Sequence, residues 1–271
     1  MKTVNSISGG KTSSYLAYHY PADYNIFALV RIEAEYCRPK DKSLVKYVEQ
    51  KINDEFIGTA ESDKTLYVVR DLEQLIGREI KWVTGPTFDQ VINKKMIPNQ
   101  MMRFCTTDMK IEPIFDYCHY HIDPIVDMRV GFRFDEQERA ERNKTNTHFK
   151  TIVGKHPDGR NKWAEIEWRS LSFPLVDDEI THYQVYKWSQ SSGLDFPSDS
   201  NCVGCFWKPF QQLRKNWDDE PRKMQWFSER ERENNGTFKK EMKYEDVKRI
   251  GLQEDFFFGV GAGCSSGFCT D

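Results

Sequence analysis

The chain has 271 residues, with 39 Lys and Arg against 42 Asp and Glu and a formal net charge of −3. That length suits one large domain, or one domain with a small appendage, and the near-balanced charge argues against a general nucleic-acid coat while allowing a local basic groove. The mean hydropathy is −0.72, no apolar run reaches bilayer length, and the start MKTVNSISGG lacks the regions of a signal peptide, so the sequence reads as soluble and cytoplasmic, with no membrane partner.

In chain order, residues 3–7 (TVNSI) read as a short strand, Ser8-Gly9-Gly10 as a turn, and residues 12–20 as a helix ended by Pro21. Residues 25–32 (NIFALVRI) are a buried-strand candidate, and 41–52 follow with apolar residues at helical spacing. Residues 65–70 (TLYVVR) read as a strand, 87–96 as a helix, and 125–132 (IVDMRVGF) as a further strand. Strands separated by helices imply right-handed crossovers, hence an α/β fold with a doubly wound, mostly parallel sheet. Between 147 and 175, two runs rich in Thr, Val, Ile and Trp flank Asp158-Gly159, a hairpin signal. Beyond Asp177 the chain turns helical and charged, and runs such as QWFSERERENN (225–235) read as solvated helix faces. Residues 1–200 are therefore expected to form a nucleotide-binding α/β domain, and 201–271 a helical, cysteine-bearing carboxyl-terminal part.

The opening loop carries the first chemistry. A glycine-rich turn between strand and helix aims backbone N–H groups at an anion, and the helix dipole adds to the attraction. Gly10-Lys11-Thr12 suggests the phosphate loop G-x-x-x-x-G-K-[ST], but that pattern needs glycine at position 5, which is Asn5. What remains, S-G-G-x-x-S from Ser8 to Ser13, resembles the PP-loop of the adenine nucleotide α-hydrolase superfamily. Three further stretches, RFCTTDMKIEPI (103–114), GFRFDEQERAER (131–142) and FPLVDDEITHYQVYKWSQSSGLDFP (173–197), occur in the order found in its phosphoadenosine phosphosulfate (PAPS) reductase-like branch. The mixture, late cysteines included, looks like that of family members scattered through phage and mobile-element genomes.

The resemblance implies an adenine nucleotide as ligand, ATP or else PAPS or adenylylsulfate, with Mg²⁺. Ser8, Gly9, Gly10, Lys11, Thr12 and Ser13 would form the nucleotide loop. Attack at phosphorus needs cations against the non-bridging oxygens, and those within the motifs are Lys11, Arg103, Lys110, Arg133 and Arg139. Arginine's planar fork suits phosphate and sulfate particularly well. Lys11, Cys105 and Arg133 are the expected catalytic residues. The chain departs from the reductase pattern: the double glycine is commoner in ATP-using relatives, an aspartate is usual at Thr12, and the reductase's Glu-Cys-Gly tail is absent from GAGCSSGFCTD.

Seven cysteines, in a compartment that keeps thiols reduced, point to metal or redox chemistry rather than disulfides. Cys202 and Cys205 are spaced C-x-x-C, which lets two thiolates reach one metal; Cys264 and Cys269 add two more, and Cys105 lies inside a binding motif. Four of these five could hold Zn²⁺ or a [4Fe–4S] cluster, which spacing does not separate. Cys37 and Cys118 read as core residues. Three functions follow as expectations. The first is an ATP-using enzyme that releases pyrophosphate to activate a substrate, with sulfur transfer next and a nucleic acid as one acceptor. The second is a PAPS or adenylylsulfate reductase drawing on a thiol reductant. The third is a metal-stapled nucleic-acid-binding module on a degenerate nucleotide fold. A homo-oligomer fits all three.

Overall fold

The computed structural model describes residues 1–94 and 96–252, together with the backbone of two short strands near the carboxyl terminus. Strand β1 (Thr3–Ile7) leads to α1 (Lys11–His19), and β2 (Tyr24–Leu29) continues into a short β3 (Arg31–Ile32). Helix α2 (Lys42–Ile52) begins where the Asp41 carboxylate accepts the backbone N–H groups of Ser43 and Leu44, an N-cap that satisfies donors the first turn leaves open. β4 (Gly58–Thr59) pairs antiparallel with β3, and α3 (Asp63–Ile76) follows.

Residues 65–70 thus lie within α3, and the expected strand there is corrected. Leu66, Val69 and Leu72 repeat at helical spacing and are all buried, the Ser62 side chain caps the first turn, and Gly77 closes the last one at φ 61°. A window of six residues rich in Val and Tyr hides that period. The strand is instead β5 (Ile80–Thr84).

After α4 (Phe88–Lys94), a helical run passes from α5 (Phe104–Thr106) through a π turn (Thr107–Ile111) into α6 (Glu112–His121). β6 (Val126–Arg129) precedes a 3₁₀ turn (Phe134–Glu136) and α7 (Gln137–Asn143). β7 (His148–Lys155) and β8 (Asn161–Glu167) make the expected antiparallel hairpin, with Gly159 at φ +84° in its turn, and β9 (Arg169–Ser172) returns to the sheet. The rest is helical: α8 (Pro174–Asp177), α9 (His182–Ser191), α10 (Phe210–Asp219), α11 (Pro221–Glu233) and α12 (Tyr244–Val247). β10 (Cys264–Ser265) and β11 (Phe268–Cys269) pair antiparallel.

The central sheet has the order β5-β2-β1-β6-β9, with every neighbouring pair parallel. This is an α/β fold with helices flanking a five-stranded parallel sheet. Burial on both faces explains why residues 26–30 read as an unbroken apolar run. The carboxyl-terminal helices share a core with the sheet's flank: Trp226, Phe227 and Tyr244 pack in one cluster with Val30, Phe88 and Met109. The charged 225–235 run accordingly buries Trp226, Phe227 and Glu231 beneath its solvated face. Among the described residues no helix is long and apolar enough to cross a membrane.

Candidate functional site

From β1 the strand order runs outward one way to β2 and β5, and the other way to β6 and β9. The loops after β1 and β6 therefore flank this reversal, beyond the strand ends where open α/β sheets form their ligand crevices. Both loops carry stretches singled out in the sequence, Ser8–Ser13 and 131–142.

The first loop is Ser8–Gly10. Gly9 sits at φ +74°, and a Cβ there would come within 2.6 Å of the Thr65 methyl; a Cβ on Gly10 would lie 2.7 Å from the Ser200 hydroxyl. Ser13 closes the turn: its hydroxyl accepts the Ser8 N–H at 3.1 Å, donates to the Gly10 carbonyl at 3.1 Å and lies 3.0 Å from the Ser8 hydroxyl. These contacts tie the loop to the first turn of α1. The first turn of α1 presents N–H groups that no helix can pair internally, at the positive end of its dipole.

The second loop supports the first. Gly131 lies under α1 so closely that a Cβ would meet the Thr12 carbonyl group at 3.3 Å. Two residues on, the Arg133 guanidinium donates to the Thr12 hydroxyl at 3.1 Å and is braced by Asp135 and Glu136, each at 3.2 Å. Asp135 also accepts the backbone N–H of His182 at 2.9 Å, which ties α9 to the crevice. Lys11 has no ion-pair partner among the described residues, and partial burial pulls its ammonium below the ordinary lysine range. His182 is likewise held below the usual histidine value, first by desolvation and then by the charges of Arg133 and Lys11. An anion entering here would relieve that repulsion. Arg139 is placed differently: its guanidinium bonds Glu136 at 2.9 Å and lies 4.4 Å from the Phe132 ring centroid, so it buttresses Arg133 through their shared carboxylate.

Beside the loop lies a second feature, a small cavity of about 40 Å³ lined by Cys105, Cys202, Cys205, Lys110, Trp207 and Phe227 among others. The C-x-x-C turn is firmly built. Val203 N–H donates to Ala60 C=O at 2.7 Å, Asn216 donates to Val203 C=O at 2.7 Å, and the Tyr244 hydroxyl donates to Gly204 C=O at 2.9 Å. Gly204 has no room for a side chain, since a Cβ would stand 2.4 Å from the Phe227 ring. The same turn reaches the Ser8–Gly10 loop, because Ser200, two residues before Cys202, lies 3.2 Å from the Ser8 hydroxyl. Lys110 is drawn to this cavity, where its ammonium pairs at 3.1 Å with Glu61, a fully buried carboxylate. Arg103 stands at its rim, 5.7 Å from the Trp207 ring centroid.

Of the sequence-predicted residues, Ser8 to Ser13 and Arg133 gather at the crevice, and Cys105, Cys202, Cys205, Lys110 and Arg103 gather at the cavity. Burial and the neighbouring Glu61 hold the Cys202 thiol well above its usual pKa. Among the described residues no three Cys, His, Asp or Glu side chains converge to hold a metal ion, so the three thiols share a cavity without forming a ligand set by themselves. The side chains of Cys264 and Cys269 lie outside the described residues. Cys37 and Cys118 are core residues as expected, both buried and pushed up to about 12 by desolvation. Sequence reasoning missed Glu61, His182 and Ser200. Asp135 and Glu136 lie inside the 131–142 motif and His182 inside the 173–197 motif, but no role was assigned to any of them from sequence.

No family model and no curated protein matches the chain.

Proposed function

We propose that the chain is an enzyme that binds ATP across the crevice and adenylates an acceptor, releasing pyrophosphate. The observation that carries this reading is the meeting of a closed glycine loop, a helix amino terminus and the Arg133 guanidinium at the switch point of a parallel sheet. The loop and the α1 N–H groups would hold the terminal phosphates, with the Mg²⁺ that accompanies ATP. An acceptor oxygen attacks the α-phosphorus, the bond to the α,β-bridging oxygen breaks, and pyrophosphate departs with its growing charge against Lys11 and Arg133. A persulfide loaded on one of Cys105, Cys202 or Cys205 by an external sulfane-sulfur donor would attack the adenylated carbon and displace AMP. A second of these thiols would then cleave the resulting acceptor–cysteine disulfide, leaving the sulfur on the acceptor and a Cys–Cys disulfide for a thiol reductant to reopen. Because those three alone do not fit a metal or cluster, the reading routes no step through one.

The test is pyrophosphate release from Mg²⁺-ATP by purified protein across a panel of acceptors; absence of release under every condition sinks the proposal. A sulfonucleotide substrate is the second reading, favoured by the thiol cavity adjoining the loop. It requires sulfite formation from PAPS or adenylylsulfate with a thiol reductant.

A further inference from the structure

Helix α9 runs alongside α1 in the same sense. Towards its far end the Trp188 ring centroid lies 5.5 Å from that of Tyr15 and 5.6 Å from that of Tyr18. His182, six positions earlier, is the first residue of α9, and its backbone N–H donates to Asp135 at 2.9 Å. Asp135 in turn holds Arg133, which bonds Thr12 in the first turn of α1. Six residues span about 9 Å of helix axis, and Thr12 likewise precedes Tyr18 by six. His182 therefore stands level with the turn that carries Lys11 and Thr12.

The groups around its imidazole come from three elements. Lys11 acts on it from α1, and Arg133, Asp135 and Glu136 from the loop after β6. The Tyr186 ring lies nearly parallel to it, one turn on, at 6.4 Å. In the link before α9, Asp178 is taken by the Tyr20 hydroxyl at 2.6 Å, and Glu179 is exposed. Asp135 and Glu136 favour a protonated ring, but both are engaged by Arg133. Desolvation and the charges of Arg133 and Lys11 oppose protonation, as does the positive end of the α9 dipole. Opposition prevails, so the free chain carries a neutral imidazole at neutral pH.

We propose that His182 is a third cation of the nucleotide site, which takes a proton from solvent as the polyphosphate enters and then binds it as imidazolium. The proposal rests on the ATP reading and adds the proton coupling to it. A polyphosphate beside Lys11 and Arg133 cancels the repulsion that keeps the ring neutral, and it offers oxygens to the ring N–H groups. Between the ring's pKa in the free chain and its higher value in the complex, the complex holds more protons. Linkage is reciprocal, so affinity should rise as pH falls through that window, by no more than about tenfold per pH unit for one proton.

Calorimetric titration of Mg²⁺-ATP into the full chain at about pH 6.5, in Pipes and in Bis-Tris, tests it. The two buffers release protons with different heats, so the enthalpies should differ and report uptake of a proton at each site. His182→Gln should remove that difference. It should also weaken binding about tenfold at about pH 6.5, the loss of one charge-assisted contact, and little at about pH 8.5. His19→Gln, at the other end of α1, should leave both properties as in wild type. His182 is exposed, so its variant should melt like wild type. In the wild-type chain itself, the His182 ring followed by NMR should titrate at higher pH with Mg²⁺-ATP than without it. Equal enthalpies in the two buffers, uptake that His182→Gln preserves, or a ring that titrates alike with and without nucleotide overturns the proposal and leaves the nucleotide reading standing. No saturable binding by wild type overturns that reading and the proposal together.

Discussion

The Arg133 guanidinium donates a 3.1 Å hydrogen bond to the hydroxyl of Thr12, joining the loop after β6 to the first turn of α1. These residues are 121 positions apart in sequence, and the parallel pairing of β1 with β6 brings them together. The contact places a planar cation beside free helix N–H groups, and Asp135 and Glu136 keep it from folding away.

Arg133→Ala should therefore lower the rate of pyrophosphate release by about 10²- to 10³-fold, the usual cost of removing one preorganised charge-stabilising group. Arg133→Lys should recover only part of it, since a single ammonium cannot bond Thr12, a carboxylate and a phosphate in one plane. Steady-state rates of the two variants against wild type check this.

Lys110 invites a stability test, because it neutralises a carboxylate with no solvent exposure. Lys110→Met leaves Glu61 charged in the interior and should cost about 3–5 kcal/mol. Adding Glu61→Gln should return most of that loss. Urea unfolding midpoints of the single and double variants measure it, and equal midpoints would mean the pair is not coupled.

Gly204→Ala places a methyl against the Phe227 ring, where the available gap is 2.4 Å. Overpacking of this kind costs about 1–3 kcal/mol, so the melting temperature should fall by several degrees. Phe227→Leu in the same chain should soften the effect.

These cases divide what could be read from sequence from what could not. The Ser8–Ser13 loop, the Gly131–Arg133 pair and the Asp158-Gly159 turn were legible because each is local, its residue types dictated by backbone geometry within a few positions. The fate of Lys110 was not, because Glu61 sits in a polar-looking run, GTAESDK, and only tertiary packing buries it. Ser200 reaches the loop from 192 positions away, a contact no spacing announces. Helix α3 was misread for a further reason: six residues cannot distinguish a buried helix segment from a strand, whereas the cap at Ser62 and the stop at Gly77 do.

Glu231 predicts a pH dependence. Burial raises its carboxyl from 4.5 to about 7, against the opposing pull of the Tyr244 and Phe238 N–H groups. Between those values the folded chain keeps a proton that the unfolded chain has released. Stability should thus fall as pH rises from about 4.5 to about 7, by a few kcal/mol at most, and level off above that. Glu231→Gln should flatten this window in urea titrations at pH 5 and pH 8.

The central claim, that the crevice between the β1 and β6 loops is a nucleotide site, is tested most directly by calorimetric titration of Mg²⁺-ATP into the purified chain. Saturable binding of one nucleotide per chain, weakened tenfold or more by Lys11→Ala and by Arg133→Ala in protein with an unchanged melt, is the predicted result. Absence of saturable binding for ATP, PAPS and adenylylsulfate alike, or binding that both variants leave intact, would contradict it.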